Sequence, residues 1–268
     1  MENIILSKPV VSVTWLQSNL YAPNLIILDS SFPQSEQQIP YTRYFDIKNN
    51  FSDISAPFPN TLPSEKQFIE EARKLGINND SSIVVYDDKG IYWSARTWYM
   101  FKAFGHSNVA VLSGGLPEWN IQGFKTQHRA ELSSEKGNFT GSYNPKSFKF
   151  FEDVKRECLD STHTIMDARS ENRFKSLEPE PREGLRRGTI PNSINLPYTE
   201  LLNNGRIKNQ KELKRIFSSL VEKDGQLTFS CGSGITACVL ALGAEIAGYK
   251  NISVYDGSWT EWGSLIKE

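Results

Sequence analysis

Two kinds of segment, distinguished by their pattern of hydrophobic and polar positions, alternate along this chain. Short apolar runs, such as those at 82–86 and 226–230, are typical of strands buried on both faces of a sheet. Other segments carry apolar residues three or four positions apart, which predicts amphipathic helices; 64–76 and 209–221 are the clearest, with Ser64 as the N-cap of the first. The regular alternation of strands and helices predicts an α/β fold built on open parallel sheets.

The same order of segments occurs twice. The stretch FGHSNVAVLSGGLPEW (104–119) has a counterpart in GYKNISVYDGSWTEW (248–262), and a constant offset of 143 aligns their glycines and tryptophans. Internal similarity of this length indicates a duplicated domain. We therefore predict an N-terminal domain at 1–125 and a C-terminal domain at 148–268, joined by a polar, weakly periodic linker at 126–147.

Overall charge narrows the classes of partner. The chain has 30 basic and 31 acidic side chains, so it has no general attraction for nucleic acids or anionic membranes, and we expect neither as a partner. The first residues lack the pattern of a secretory signal, and the apolar runs are far shorter than the roughly 18 to 20 residues of a membrane helix. The sequence thus predicts a soluble, cytoplasmic protein.

The three cysteines do not form a recognisable metal or disulfide pattern. Cys158, Cys231 and Cys238 include no CxxC pair, and the three histidines are scattered along the chain. We expect no metal and no disulfide framework. Cys158 and Cys238 fall within helical patterns and are interpreted as structural residues.

Cys231 stands instead at the end of a predicted strand, where ligands bind in parallel α/β sheets. Glycines after it would let successive N–H groups point at one spot, and the helix that follows adds the positive end of its dipole. Such a cradle favours a nucleophilic thiolate and stabilises a persulfide anion. The other interpretation is that Cys231 is simply a small buried apolar residue. The predicted cradle comprises Gly232, Ser233, Gly234, Ile235 and Thr236.

Two comparisons restrict the chemistry of this loop. The ungapped alignment of the two halves puts Asp88 in the place of Cys231, so the first domain is predicted to be inactive. A cysteine phosphatase would need an arginine at the sixth position after the cysteine, where this chain has Ala237. Sulfur transfer is the remaining common use of a cysteine on such a loop.

These motifs, together with RFKSLEPEPREGLRRGTIPNSINLPY at 173–198, give the chain a specific resemblance. It resembles the two-domain rhodanese family, and CGSGITAC with YDGSWTEW is similar to the 3-mercaptopyruvate sulfurtransferase branch. The resemblance implies two tandem rhodanese-like domains, each a parallel sheet flanked by helices, with Cys231 catalytic and no cofactor.

The resemblance also implies roles for particular residues. Cys231 would take sulfur from mercaptopyruvate, release pyruvate, and pass the sulfur to cyanide or to a thiol acceptor, for which thioredoxin is a candidate. Arg173 and Arg182 match family positions thought to hold the donor carboxylate, and a planar guanidinium suits that task. The alternative is that they form salt bridges with neighbouring glutamates. Ser233 would hydrogen-bond the donor carbonyl or relay a proton.

One departure from the family pattern and several open assignments remain. The family commonly has histidines where this chain has Gln38 and Thr189, so a histidine relay to Ser233 is in doubt. A thiosulfate sulfurtransferase and a non-catalytic persulfide carrier are the alternative functions. Four further residues are interpreted from their motifs: Asp167 and Arg169 as a structural pair, and Trp259 and Trp262 as residues of either the cleft or the core.

Overall fold

The chain forms two compact units. A computed structural model describes residues 2–130, 132, 135–222 and 225–266. The first unit contains Met1–Ile54, Leu62–Asn144 and Asn204–Ile207, and the second contains Ser55–Thr61, Pro145–Asn203 and Lys208–Glu268. The division after Asn144 falls within the predicted linker, of which residues 131, 133 and 134 lie outside the described residues. Domain limits at residues 125 and 148 stay a prediction.

Strands and short helices alternate along both units. In chain order the elements are β1 (Val10–Val11), α1 (Val13–Asn19), β2 (Leu25–Asp29), β3 (Gln37–Gln38), β4 (Thr42–Tyr44), α2 (Glu65–Lys74), β5 (Ser82–Tyr86), α3 (Trp93–Ala103), β6 (Val109–Leu112), α4 (Gly115–Ile121), β7 (Gln127–His128), β8 (Phe148–Lys149), α5 (Phe151–Glu157), β9 (His163–Asp167), α6 (Glu171–Phe174), β10 (Ile194–Asn195), a 3-10 helix (Tyr198–Leu201), β11 (Leu202–Asn203), β12 (Arg206–Ile207), α7 (Gln210–Ser218), β13 (Gln226–Ser230), α8 (Ala237–Ala247), β14 (Ile252–Tyr255) and α9 (Ser258–Leu265).

Each unit is built on a five-stranded sheet with the same strand order. The first sheet runs β1-β6-β5-β2-β4 and the second runs β8-β14-β13-β9-β10, and the paired strands are parallel. The predicted α/β fold is confirmed. The periodic pattern does not predict β1 or β8, because two-residue strands are too short to show an alternation.

Local capping explains where the predicted helices begin. Helix α2 begins directly after Ser64, whose hydroxyl accepts a hydrogen bond from the Gln67 amide at 3.2 Å, as the sequence predicts. Helix α7 has a capping box, in which Asn209 and Glu212 each accept a hydrogen bond from the other's backbone N–H. Such caps stabilise a helix end by about 1 kcal/mol.

The cores lie against the central strands. All five residues of β5 are buried, as are the last four of β13, because helices cover both faces of a parallel sheet. The first core includes a stacked pair of rings, Phe68 and Phe104, with centroids 4.1 Å apart. Because the paired strands are parallel, the loops that follow β5 and β13 lie at the carboxyl end of their sheets. Among the described residues, no helix has the length and apolar character needed to cross a membrane.

Candidate active site

The loop that carries Cys231 joins β13 to α8. Cys231 follows the last residue of β13, Gly234 turns the chain with φ +76°, and α8 begins at Ala237. The cysteine is only 1% exposed, and Ile235 is buried as well. Gly232 and Ser233 are partly exposed and form the solvent-facing part of the loop. The predicted cradle residues are therefore contiguous in one loop at the start of a helix.

The hydroxyl of Ser258 occupies the centre of this loop. Ser258 is fully buried and has a left-handed φ of +51°, which is unfavourable for a residue with a side chain. Its Oγ accepts hydrogen bonds from the amides of Cys231 at 3.0 Å and Gly234 at 3.1 Å. The hydroxyl proton can go to the Tyr255 carbonyl at 2.8 Å or to the Cys231 sulfur at 3.8 Å.

Ser258 was not identified from the sequence as a site residue. The available signal was its position three residues after β14, because β14 pairs with β13 and parallel neighbours end at the same edge of a sheet. The cradle hypothesis directs the Gly234 amide at the sulfur, whereas in the structure this amide donates to a hydroxyl beside the sulfur.

The first turn of α9 holds the other side of the loop. The Trp259 amide donates to the Cys231 carbonyl at 3.0 Å, and the Thr260 amide donates to the Gly232 carbonyl at 3.0 Å. The Thr260 hydroxyl donates to the same Gly232 carbonyl at 2.5 Å. These bonds fix the backbone on which the cysteine stands.

Both arginines expected from the sequence reach this part of the loop. Arg182 donates to the Thr260 hydroxyl, and a Cβ at Gly232 would stand 3.0 Å from Nη2 of Arg173. Burial lowers the pKa of the Arg182 guanidinium, and the charge of Arg173 adds to this effect, while Glu180 and Cys231 oppose it. Two cationic groups thus lie beside the residue that follows Cys231.

Arg173 pairs with a carboxylate and also has a buried donor that no described residue accepts from. Its Nη2 donates to Glu180 Oε2 at 2.5 Å, so the salt bridge considered as an alternative is present. Its Nε is buried and has no hydrogen-bond partner within the described part of the chain. A buried donor without a partner is uncommon in proteins, and such groups often mark a place where a ligand binds.

A buried ion pair adjoins Glu180, the carboxylate partner of Arg173. Arg169 donates from Nε and Nη2 to both carboxylate oxygens of Asp167, so the predicted pair is confirmed. Arg169 also donates from Nη1 to Glu180 Oε1 at 2.7 Å. Glu180 therefore lies between Arg169 and Arg173 and contacts both.

Ser233 has a partner that sequence reasoning did not identify. Asn60 donates from Nδ2 to the Ser233 hydroxyl at 2.9 Å and to its carbonyl at 3.1 Å. Asn60 is 6% exposed and has a φ of +62°. Gln38 belongs to the first unit and donates to the Ala130 carbonyl, while Thr189 lines a surface pocket with Arg186. No local signal connects Asn60 with Ser233, because 173 positions separate them.

The tryptophans and the other cysteines belong to the packing. Trp259 is fully buried, its ring centroid lies 4.7 Å from Arg169 Cζ and 4.8 Å from Arg186 Cζ, and Trp262 is 3% exposed. Cys238 is buried in α8 with its sulfur 3.4 Å from the Gly234 carbonyl. In the ranges that the structure covers, no group of histidine, cysteine or carboxylate side chains is arranged to hold a metal ion.

The first unit has an equivalent loop, residues 87–92 between β5 and α3. In the two sheets Tyr86 pairs with Asp29 and Ser230 pairs with Asp167, so Asp87 corresponds to Cys231. The prediction of Asp88 is wrong by one residue. The reason is that the connection from α8 to β14 is one residue shorter than the connection from α3 to β6.

The carboxylate of Asp87 shows what this loop can bind. It is fully buried; Oδ1 accepts from the Lys89 amide at 2.9 Å, and Oδ2 accepts from the amides of Tyr92 and Ser94, both at 2.8 Å. The Ser94 hydroxyl adds a bond of 2.6 Å. A loop of this length and position therefore gathers backbone N–H groups around an anion, as in other anion nests.

Comparison with known proteins agrees with this geometry. The family model described as the rhodanese-like domain matches residues 12–122 and 151–265. The thiosulfate/3-mercaptopyruvate sulfurtransferase 1 of Arabidopsis thaliana is 37% identical over 96% of this chain and 76% of its own length. The 3-mercaptopyruvate sulfurtransferase of Mus musculus is also 37% identical, over 96% of this chain and 92% of its own.

A solved structure extends the similarity to three dimensions. The crystal structure of the 3-mercaptopyruvate sulfotransferase SseA from Escherichia coli superposes with a TM-score of 0.83 and 31% identity, covering 94% of this chain and 99% of that one. Each of the two family matches spans four of the five strands of one sheet. The chain therefore belongs to the rhodanese family, with two rhodanese-like domains in tandem and sulfurtransferases as its relatives over nearly its whole length.

Proposed function

We propose that this sulfurtransferase takes sulfur from 3-mercaptopyruvate, carries it as a persulfide on Cys231, and delivers it to a thiol or to cyanide. The observation that carries the proposal is the meeting of two arginines at Gly232. Arg173 stands over this residue, and Arg182 reaches its carbonyl through the Thr260 hydroxyl. A donor with a carboxylate and a sulfur fits a site where guanidinium groups lie one residue from a cysteine.

The chemistry balances without a cofactor. The Cys231 thiolate attacks the thiol sulfur of the donor, an S–S bond forms, and the C–S bond breaks. The electron pair of that bond passes to the departing carbon as the enolate of pyruvate, and the donor's thiol proton ends on this carbon. The product pair is pyruvate and the Cys231 persulfide anion. An acceptor thiolate or cyanide then attacks the outer sulfur and releases the Cys231 thiolate, which completes a ping-pong cycle.

The polar groups around Cys231 have separate roles in this reaction. Arg173 and Arg182 hold the carboxylate, and the spare Nε donor of Arg173 supplies one of the hydrogen bonds. Asn60 donates to the Ser233 oxygen, which leaves the serine's own proton free for the donor carbonyl or the enolate. The Ser258 hydroxyl, 3.8 Å from the sulfur, can donate to the thiolate or persulfide.

Donor kinetics with pyruvate release as the readout test this proposal. The wild-type protein should release pyruvate from 3-mercaptopyruvate with cyanide, dithiothreitol or reduced thioredoxin as acceptor. Cys231→Ser should lose at least about a thousandfold in rate, because an alcohol cannot form the persulfide. The matched control is Cys238→Ser, which changes a buried cysteine of the neighbouring helix and should keep its activity within about tenfold.

Three results would contradict the proposal. Full activity of Cys231→Ser would exclude the persulfide route. A higher kcat/KM for thiosulfate than for mercaptopyruvate would assign the protein to the other donor, which the name of the Arabidopsis relative includes. A gain of about 32 mass units on Cys231 without turnover by any small acceptor would indicate a persulfide carrier, since one added sulfur atom has that mass.

A further inference from the structure

The second unit holds a cluster of three guanidinium groups and two carboxylates behind the Cys231 loop. The members are Arg169, Arg173, Arg182, Asp167 and Glu180. Three positive charges against two negative ones leave one net positive charge on the cluster. Since the side chains of Arg169, Asp167 and Glu180 are at most 1% exposed, solvent screens these charges poorly.

Within this cluster Arg169 uses four of its five N–H donors for bonds inside the protein. Its Nε and Nη2 donate to Asp167, Nη2 also donates to the Gly188 carbonyl at 2.9 Å, and Nη1 donates to Glu180. The guanidinium face packs 4.7 Å from the Trp259 ring centre. Arg169 therefore serves as a fixed point from which Glu180 is held.

Glu180 is held by Arg169 and in turn holds Arg173. One carboxylate oxygen accepts from Arg169 at 2.7 Å and the other accepts from Arg173 at 2.5 Å. Arg173 itself is 22% exposed, so it lies at the solvent side of the cluster with its head over Gly232. A long arginine side chain loses conformational entropy when it is held in one rotamer. The bond to Glu180 imposes this loss before a donor binds, so donor binding does not incur it.

We propose that Glu180 is a positioning residue for the sulfur donor, and that its negative charge makes the site select a donor with one carboxylate over a doubly charged donor. It holds the Arg173 guanidinium over Gly232 and keeps the cluster at one net positive charge. The inference rests on the proposed function, because it concerns how the same site chooses between 3-mercaptopyruvate and thiosulfate. Removal of the Glu180 charge leaves two net positive charges, which suit a dianion better.

The test compares two donors in one variant. Glu180→Gln keeps the size and an acceptor oxygen but removes the charge. We expect KM for 3-mercaptopyruvate to rise about tenfold at nearly unchanged kcat, because one neutral acceptor oxygen cannot hold Arg169 and Arg173 together. KM for thiosulfate should stay or fall, so the ratio of kcat/KM for mercaptopyruvate to that for thiosulfate should drop at least about tenfold. Loss of folded protein alone would lower both donors equally and would not move this ratio.

Two further variants separate position from charge. Glu178→Gln is the matched control: it removes the same charge two residues away, where the carboxylate binds the Ser170 hydroxyl, and it should leave the ratio within twofold. Glu180→Asp keeps the charge but is too short to contact both arginines. It should raise KM for mercaptopyruvate about fivefold and leave the donor ratio close to that of the wild type.

The outcomes distinguish the two proposals. A wild-type protein that releases no pyruvate from mercaptopyruvate overturns the proposed function. An active wild type together with an unchanged donor ratio in Glu180→Gln overturns only the charge selection. If Glu180→Gln does not fold, Glu180→Asp decides: an unchanged KM for mercaptopyruvate overturns the positioning role, and a raised KM at constant kcat supports it.

Discussion

The loops after β5 and β13 have the same length but differ in the group at their first position. Both have six residues and a left-handed glycine at the fourth position, Gly90 with φ +96° and Gly234 with φ +76°. The first loop begins with Asp87, whose carboxylate uses the loop's own donors. The second begins with Cys231, which offers one polarisable sulfur. The equivalent position therefore carries a carboxylate in the first unit and a cysteine sulfur in the second.

A second difference lies on the neighbouring strand. The residue three positions after β6 is Gly115 with φ +52°, and its counterpart after β14 is Ser258 with φ +51°. The glycine adopts this conformation at little cost, whereas the serine adopts it with strain and brings a hydroxyl to the sulfur. In addition, the backbone of Gly205 packs against Gly90 in the first loop, since a Cβ at Gly90 would stand 2.7 Å from the Gly205 oxygen. The first loop thus lacks the cysteine, and its glycine packs against another backbone segment.

The largest expected effect comes from removing the internal anion of the first loop. Asp87→Ala removes the buried carboxylate that accepts hydrogen bonds from the amides of Lys89, Tyr92 and Ser94. We expect a loss of about 3 to 5 kcal/mol in the free energy of unfolding, since each unpaired buried donor costs about 1 to 3 kcal/mol and relaxation recovers part of it. Urea unfolding followed by circular dichroism measures this.

The control for this prediction is Asp88→Ala, one residue further along the same loop. Asp88 is the position that the ungapped sequence alignment equates with Cys231, and its carboxylate is half-buried. It should cost less than Asp87→Ala by about 2 kcal/mol. Equal losses for the two variants would mean that Asp87 does not hold the loop together.

A change at Ser258 tests the other half of the comparison. Ser258→Gly gives the second loop the residue found in the first and removes the hydroxyl beside the sulfur. We expect kcat/KM to fall about tenfold to a hundredfold, because a hydrogen bond to a charged group contributes about 1.5 to 3 kcal/mol. Stability should change little, because the glycine relieves the left-handed strain while the amides of Cys231 and Gly234 lose their acceptor.

A measurement of stability distinguishes the loss of this hydroxyl from a general loosening of the loop. Thermal melting should shift by only a few degrees, which corresponds to about 1 kcal/mol in a protein of this size. Unchanged kcat/KM in Ser258→Gly would show that the hydroxyl does not act on the sulfur. A large fall in melting temperature with the activity loss would assign Ser258 a structural role instead.

The sequence predicts contacts that are local in the chain and misses those that are not. The MDAR motif puts Asp167 and Arg169 two residues apart at a strand end, and this pair forms as expected. Helix caps, strand ends and the position of the Cys231 loop are local in the same sense. The connection between α8 and β14 is one residue shorter than its counterpart in the first unit. The glycines that define the offset lie within or after this connection, so the offset assigns Asp88 instead of Asp87 to the position of Cys231.

The contacts that complete the site depend on tertiary packing. Asn60 reaches Ser233 across 173 positions, and Ser258 reaches Cys231 across 27. Glu180 is only seven residues from Arg173, but its two-sided contact requires the fixed position of Arg169. Among several glutamates in that segment, sequence alone gives no reason to choose this one, because the choice is made by burial.

The smallest expected effect concerns the two aspartates that end equivalent strands, β2 and β9. Asp167 is paired with Arg169, whereas Asp29 accepts only from Ser31, and its Oδ2 has no partner in the described part of the chain. Burial, opposed by the bonds from Ser31 and aided by the charges of Asp87 and Asp88, raises the pKa of Asp29 to about 6. The folded state therefore binds this proton more tightly than the unfolded chain does.

Stability should consequently fall as pH rises from about 4 to about 6 and then stay level with respect to this group. Asp29→Asn removes the charge, so it should raise the free energy of unfolding by about 2 kcal/mol at pH 7.5 and by much less at pH 4.5. Urea midpoints of the variant and the wild type at the two pH values measure the difference. The matched change Asp167→Asn should act in the opposite direction at pH 7.5, because it leaves the buried Arg169 charge with less compensation. An equal increment for Asp29→Asn at both pH values would show that its carboxyl group titrates normally in the folded protein, and the contrast between the two strand ends would then lie in packing rather than in charge.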